Sequence, residues 1–145
     1  MYLLDTNVIS ETIKKSPNQK VIQWLSSVDA SQFLLSILTI GEIRKGIEKL
    51  QDTAKKQSII QWLENDLATK FHGRIIPIDQ NIAEKWGYLS AYTNIPAIDG
   101  LIAATALVFN YKLVTRNTKD FENIIGLEIM NPWDLREEIY NDAKK

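Results

Sequence analysis

Four acids carry the chemistry this sequence can offer: Asp5, Glu42, Asp99 and Asp120. Each stands where an apolar strand gives way to a helix or loop. Asp5 ends the run Tyr2-Leu3-Leu4, Glu42 falls in the first turns after Phe33–Ser36, Asp99 heads the apolar stretch Ile98–Phe109, and Asp120 closes the loop after Lys112–Thr115. Any one of them has an ordinary reading as a helix cap, since a carboxylate beside unpaired helix amides gains about 0.3–1 kcal/mol. Asp99 fits that reading least well, because it precedes an apolar helix and has no lysine or arginine near it in sequence. Brought to one sheet edge, the four would repel one another, raise some of their own pKa values and require a cation. Carboxylates with no thiolate and no histidine among them suit a hard ion, Mg²⁺ or Mn²⁺.

The elements that must position these acids alternate between strand and helix. Tyr2–Leu4 is short and wholly apolar, as in a parallel sheet buried on both faces, and Thr6 or Asn7 is expected to cap the helix that follows, to Lys15. Asn18 restarts a helix through Val21, Trp24, Leu25 and Val28. After the strand Phe33–Ser36, Thr39-Ile-Gly-Glu42 has capping-box spacing before Ile43, Ile47 and Leu50. A long amphipathic helix is expected from Thr53 to Phe71, ended by Gly73, then a strand Arg74–Ile78 and a helix capped by Asp79. Ile98–Phe109 has no polar face and must lie against the sheet; strands at Lys112–Thr115 and Leu127–Met130 follow. The pattern predicts a three-layer α/β/α domain with a mainly parallel sheet, a single domain over 1–145 with a frayed tail at 136–145. Ligands of open α/β sheets bind at the carboxyl edge of the strands, where these acids fall.

Composition narrows the classes. At 145 residues the chain can bury about 70% of its unfolded surface without staples. No cysteine means no disulfide and no thiolate nucleophile; one histidine, His72, makes a multi-histidine zinc centre impossible within the chain and a Ser-His-Asp triad implausible. A net charge of −1 argues against a strongly basic nucleic-acid-binding domain, though not against an enzyme that grips phosphate through metal and a local basic rim. Arg44, Lys45 and Lys49 after Glu42, with Arg116 and Lys119 beside Asp120, could form such a rim, although charge runs are usually only solvated faces. Trp24, Trp62, Trp86 and Trp133 lie in amphipathic segments and are read as core or interface. With no apolar run of about 20 residues and no signal-peptide pattern, the chain is read as cytoplasmic, without a membrane span.

The strand ending in Asp5-Thr6-Asn7, the segment Ser36-x-x-Thr39-x-x-Glu42, Asp99 heading an alanine-rich helix and the block Leu-Val-Thr115-Arg-Asn117-Thr-Lys-Asp120-Phe together resemble a PIN-domain protein of the VapC toxin type. The resemblance covers almost the whole chain. It implies a Mg²⁺- or Mn²⁺-dependent endoribonuclease toxin in which Asp5, Glu42, Asp99 and an acid of the last block hold the metal. It further implies a VapB-like protein antitoxin and a homodimer, with RNA as substrate. Thr6, Asn7 and Thr115 match positions that hydrogen-bond the acids. Some members carry the fourth acid where this chain has Asn117, so Asp120 takes that place three residues later. Loss of charge in Asp5→Asn or Asp99→Asn is expected to abolish cleavage while keeping or raising stability. The competing reading is a catalytically silent α/β binding module whose acids are only caps. A phosphohydrolase or phosphoacceptor domain is disfavoured, since the first wants a second Asp where Asn7 stands and the second an acid pair before strand one.

Overall fold

The computed structural model describes residues 1–135; the predicted tail 136–145 lies outside the described residues. Five parallel strands form the sheet in the order β3-β2-β1-β4-β5: β1 Tyr2–Leu4, β2 Phe33–Ser36, β3 Ile75–Ile76, β4 Lys112–Val114 and β5 Ile129–Met130. The chain builds outward from β1 to β3, then returns to add β4 on the other side of β1. That reversal places a topological switch point between β1 and β4, where α/β sheets open a crevice at their carboxyl edge.

Alternation along the strands sorts the core into two halves. Leu4, Leu35 and Val114 face one side, where they meet α1 (Thr6–Thr12), α2 (Gln19–Ser27) and α3 (Ile37–Glu48) through Val8, Trp24, Ile43 and Ile47. Leu3, Leu34 and Leu113 face the other side, against α6 (Gln80–Tyr92) and α7 (Ala97–Phe109). Ala103, Ala104 and Ala106 are fully buried there, and their small side chains let α7 approach the sheet closely. A period of two in the strands therefore yields three layers, as expected from the sequence.

The long helix is continuous but changes pitch. α4 (Thr53–Gln61) passes into a π-helical stretch, Trp62–Leu67, and ends in α5 (Ala68–Lys70). Gly73 then turns the chain with φ +76°, a conformation open to glycine without steric penalty.

Two helix starts differ from expectation. Asp5, rather than Thr6 or Asn7, is the cap of α1: its Oδ1 accepts from Thr6 N at 2.8 Å. α3 begins at Ile37, capped by Ser36 Oγ accepting from Leu38 N at 3.1 Å, so Thr39 and Glu42 lie inside the helix instead of forming a capping box. Ser36 is the better cap because the strand ends on it, leaving its extended backbone where a cap residue must be.

Candidate active site

Asp5 is 6% exposed at the end of the central strand, and both of its oxygens accept hydrogen bonds. Its Oδ2 accepts from Thr115 Oγ1 at 2.8 Å and from Asn7 Nδ2 at 3.3 Å. Thr115 follows β4, the neighbour of β1, so the bond joins residues 110 apart in the chain. The Thr115 hydroxyl in turn accepts from Asn7 Nδ2 at 3.3 Å and from the Asn117 backbone N–H at 3.1 Å. Asn7 Oδ1 accepts from Arg116 N at 3.2 Å, tying the β4 loop to the first turn of α1.

Glu42 reaches the same place from α3. Thr6 Oγ1 donates to its Oε1 at 2.7 Å and lies 3.3 Å from Thr39 Oγ1. Thr39 is fully buried and stands one helical turn before Glu42, on the same face. Thr39 backs Thr6 from inside the helix instead of capping it, and its spacing of three from Glu42 is the mark of that shared face.

Asp99 lies half-buried in the first turn of α7, whose cap position is Pro96 and carries no side-chain capping bond. Its pKa is raised from 3.8 to about 6, first by burial and then by the charges of Asp5, Asp120 and Glu42. The other three acids thus all act on this one carboxyl. Asp5 is also raised, mainly by burial with a contribution from Glu42, while hydrogen bonds from Thr115, Thr6 and Asn7 pull the other way. Asp120 closes the 3₁₀ turn Thr118–Asp120 on the exposed lip. Among the described residues no three carboxylates close on a common point tightly enough to enclose an ion as they stand. The donor set itself, oxygen only and mutually repelling, has the chemistry a hard cation needs.

The basic rim divides. Arg44 is engaged elsewhere, with Nη2 3.0 Å from Glu64 in the π-helical stretch and Nη1 3.9 Å from Glu48 on its own helix, so it is turned toward those acids rather than offered to a substrate. Arg116 stacks its guanidinium 5.2 Å from the Trp133 ring centre. Lys45, Lys49 and Lys119 make no ion pair among the described residues. Asn117 contributes its backbone N–H, not its side chain, to the network.

Removing the Thr115 hydroxyl should loosen Asp5 without touching any charge. For Thr115→Val the expected outcome is a 10- to 100-fold loss of activity, as for other residues that orient ligating groups. Unchanged kcat/KM with a retained fold by circular dichroism would count against that role.

The chain matches a PIN domain over residues 2–127. It is 37% identical to toxin FitB of Neisseria gonorrhoeae over 138 residues, 92% of this chain and 99% of that protein. Against the VapC ribonuclease Y4jK of Sinorhizobium fredii it is 35% identical over 140 residues, with the same coverage of each. Among solved structures, FitAcB from Neisseria gonorrhoeae superposes with a TM-score of 0.87 at 37% identity, covering 93% of this chain and all of that one. A toxin-antitoxin complex from Klebsiella pneumoniae superposes with a TM-score of 0.69 at 29% identity, again over 93% of this chain and all of the other. Fold and relatives agree, and the chain belongs to the PIN-domain family, alongside toxins of the VapC and FitB type.

Proposed function

We propose that the protein is a Mg²⁺- or Mn²⁺-dependent endoribonuclease toxin that hydrolyses RNA phosphodiester bonds at the Asp5, Glu42, Asp99 and Asp120 edge. The observation that carries the reading is Asp99, a half-buried carboxyl without a capping bond, on which burial and three other acids act together. Asp5, Glu42, Asp99 and Asp120 would hold the ion. Bound there, it would lower the pKa of an attacking water and neutralise charge gathering on the scissile phosphate. The protein's share is positioning. Thr115 and Asn7 fix Asp5, Thr6 fixes Glu42, and the buried side of the site keeps bulk water from Asp5.

The competing reading, acids as mere caps, applies to several other residues. Asp29, Asp52 and Asp79 each accept backbone N–H bonds at the start of a helix. Glu42, Asp99 and Asp120 make no such bond, and Asp5 caps with one oxygen while the other faces Thr115.

A protein antitoxin of the VapB kind and a homodimer belong to the same proposal; relatives crystallised in toxin-antitoxin assemblies support the first. Among the described residues no helix is long and apolar enough to cross a membrane.

The test is incubation of the purified protein with structured RNAs in Mg²⁺, Mn²⁺ or EDTA. Cleavage in either metal and none in EDTA is expected. Millimolar metal should also raise the melting temperature, since an ion that binds only the folded state stabilises it by linkage. Equal cleavage in EDTA, or no cleavage and no metal-dependent melting, would sink the proposal.

A further inference from the structure

Arg116 is gripped both at its backbone and at its guanidinium. Its N–H donates to Asn7 Oδ1 at 3.2 Å, and its carbonyl accepts from Asn131 Nδ2 at 3.4 Å, which extends the pairing of β4 with β5 one step past the bond from Thr115 N to Met130 O. The guanidinium lies 5.2 Å from the ring centre of Trp133, which packs against the core that α1 covers. Glu11 adds a buried charge. It stands one turn after Asn7 on the same face of α1, is 4% exposed, and has both oxygens occupied, by Lys14 Nζ at 2.8 Å and by Asn18 N at 2.8 Å. Its carboxyl is held below the ordinary range, first by the Lys14 hydrogen bond, with the charges of Lys14 and Arg116 contributing. The charge of Arg116 thus falls on Glu11, whereas the charges acting on Asp99 are those of Asp5, Asp120 and Glu42.

We infer that Arg116 is a positioning residue: stacked on Trp133 and drawn to the charge of Glu11, it fastens the loop at 115–117 to α1 and so fixes the orientation of Asp5. The inference rests on the reading of Asp5 as a metal-holding carboxylate. Asn7 transmits the effect. An amide has one accepting and one donating end, and the Arg116 N–H on Oδ1 decides which end meets Asp5. Nδ2 therefore lies 3.3 Å from Asp5 Oδ2 and 3.3 Å from Thr115 Oγ1. Were the loop to draw away, Asn7 would be free to turn its oxygen toward the carboxylate, and both Asp5 and Thr115 would lose a donor. A single exposed amide bond exchanges readily with water and holds a loop weakly. A guanidinium stacked on an indole, with a buried carboxylate nearby, holds it in one place. The rival role for Arg116 is contact with an RNA phosphate, which would have to compete with the Trp133 ring and with Glu11.

The test compares wild type with Arg116→Gln, Trp133→Leu, the two combined, Trp133→Phe, and Lys20→Gln, an exposed cation on α2 that serves as control. Metal binding is read from the rise of melting temperature across a Mn²⁺ titration. An unstructured RNA oligonucleotide gives kcat and KM in Mn²⁺ and the salt dependence of binding in EDTA. Arg116→Gln should raise the Mn²⁺ concentration for half the melting shift by about 10-fold and lower kcat at fixed metal alike, as when residues behind a metal ligand are lost. KM and the slope of log affinity against log salt should not move. Trp133→Leu should match it, and the combined variant should be no worse than either alone, because both open the same contact. Trp133→Phe keeps a ring against the guanidinium and should recover most of the loss. Lys20→Gln should match wild type. Arg116 is exposed, so Arg116→Gln and Trp133→Phe decide the matter even if Trp133→Leu fails to fold. A rise in KM with a slope lower by about 0.7 and unchanged metal binding would put Arg116 on an RNA phosphate and overturn the inference. An Arg116→Gln loss confined to melting temperature without metal would overturn it too, as would additive losses in the combined variant. Wild type that binds metal and cleaves while Arg116→Gln is unchanged overturns the clamp alone; wild type that does neither overturns the nuclease reading with it.

Discussion

Asp99→Asn should abolish RNA cleavage while making the metal-free protein more stable at neutral pH. The carboxyl has a folded-state pKa of about 6 against an ordinary 3.8, held up by burial and by Asp5, Asp120 and Glu42. Folding therefore favours its protonated form. Below about pH 4 the group is protonated folded or unfolded, and its favourable contribution is fully present; that contribution is lost as the pH rises through 6. At pH 7 the ionised group costs on the order of 1 kcal/mol once solvent screening of a half-exposed charge is allowed for. Asparagine never ionises. The difference in stability between variant and wild type should accordingly open between pH 4 and 7 in urea melts without metal, and close again on addition of Mg²⁺, which offsets the charge in wild type alone. A variant less stable than wild type at pH 7, or one that still cleaves, would refute the role given to Asp99.

Asp5→Asn should lose cleavage as completely but move stability the opposite way. Charge removal alone predicts a neutral or stabilising change, and the hydrogen bonds overturn that expectation. Both oxygens of Asp5 are acceptors: one receives Thr6 N–H, the other Thr115 O–H and Asn7 Nδ2. An amide offers one acceptor and turns its NH₂ toward a donor on the other side. Thr115 cannot easily reverse, because its oxygen already accepts from Asn7 and from the Asn117 backbone. A buried donor left unsatisfied costs about 1–3 kcal/mol, more than the relief of repulsion at a site whose charge is already softened by three hydrogen bonds. Thermal denaturation of the two variants side by side in EDTA should show Asp99→Asn above wild type and Asp5→Asn below it. Equal shifts in both would mean that the Asp5 network is not the determinant described.

Much of the frame was legible because burial writes itself into composition. Tyr2–Leu4, Phe33–Ser36 and the alanine-rich stretch before Phe109 are continuous apolar runs, and a run buried on all sides admits few placements. Local choices were harder. Thr39-x-x-Glu42 and Ser36-x-x-Thr39 both offer capping chemistry within seven residues, and only the point where β2 stops decides between them. Partners distant in sequence were legible only where the family resemblance supplied them, as for Thr115. Arg44 meets Glu64 across 20 residues, and Arg116 finds Trp133, so a run that reads as one basic rim separates into engaged arginines and unpaired lysines. The π-helical pitch of Trp62–Leu67 likewise has no mark in an amphipathic pattern that reads as one uninterrupted helix.

The bond from Thr115 to Asp5 spans 110 residues and closes only when β4 docks beside β1. Contacts of such high sequence separation form late, after the entropy of a long loop has been overcome. During synthesis Asp5 precedes its principal hydrogen-bond donor by 110 residues and stays without it until β4 has been made. A nascent or truncated chain thus carries the charges without their supports, and competence arrives in one late step.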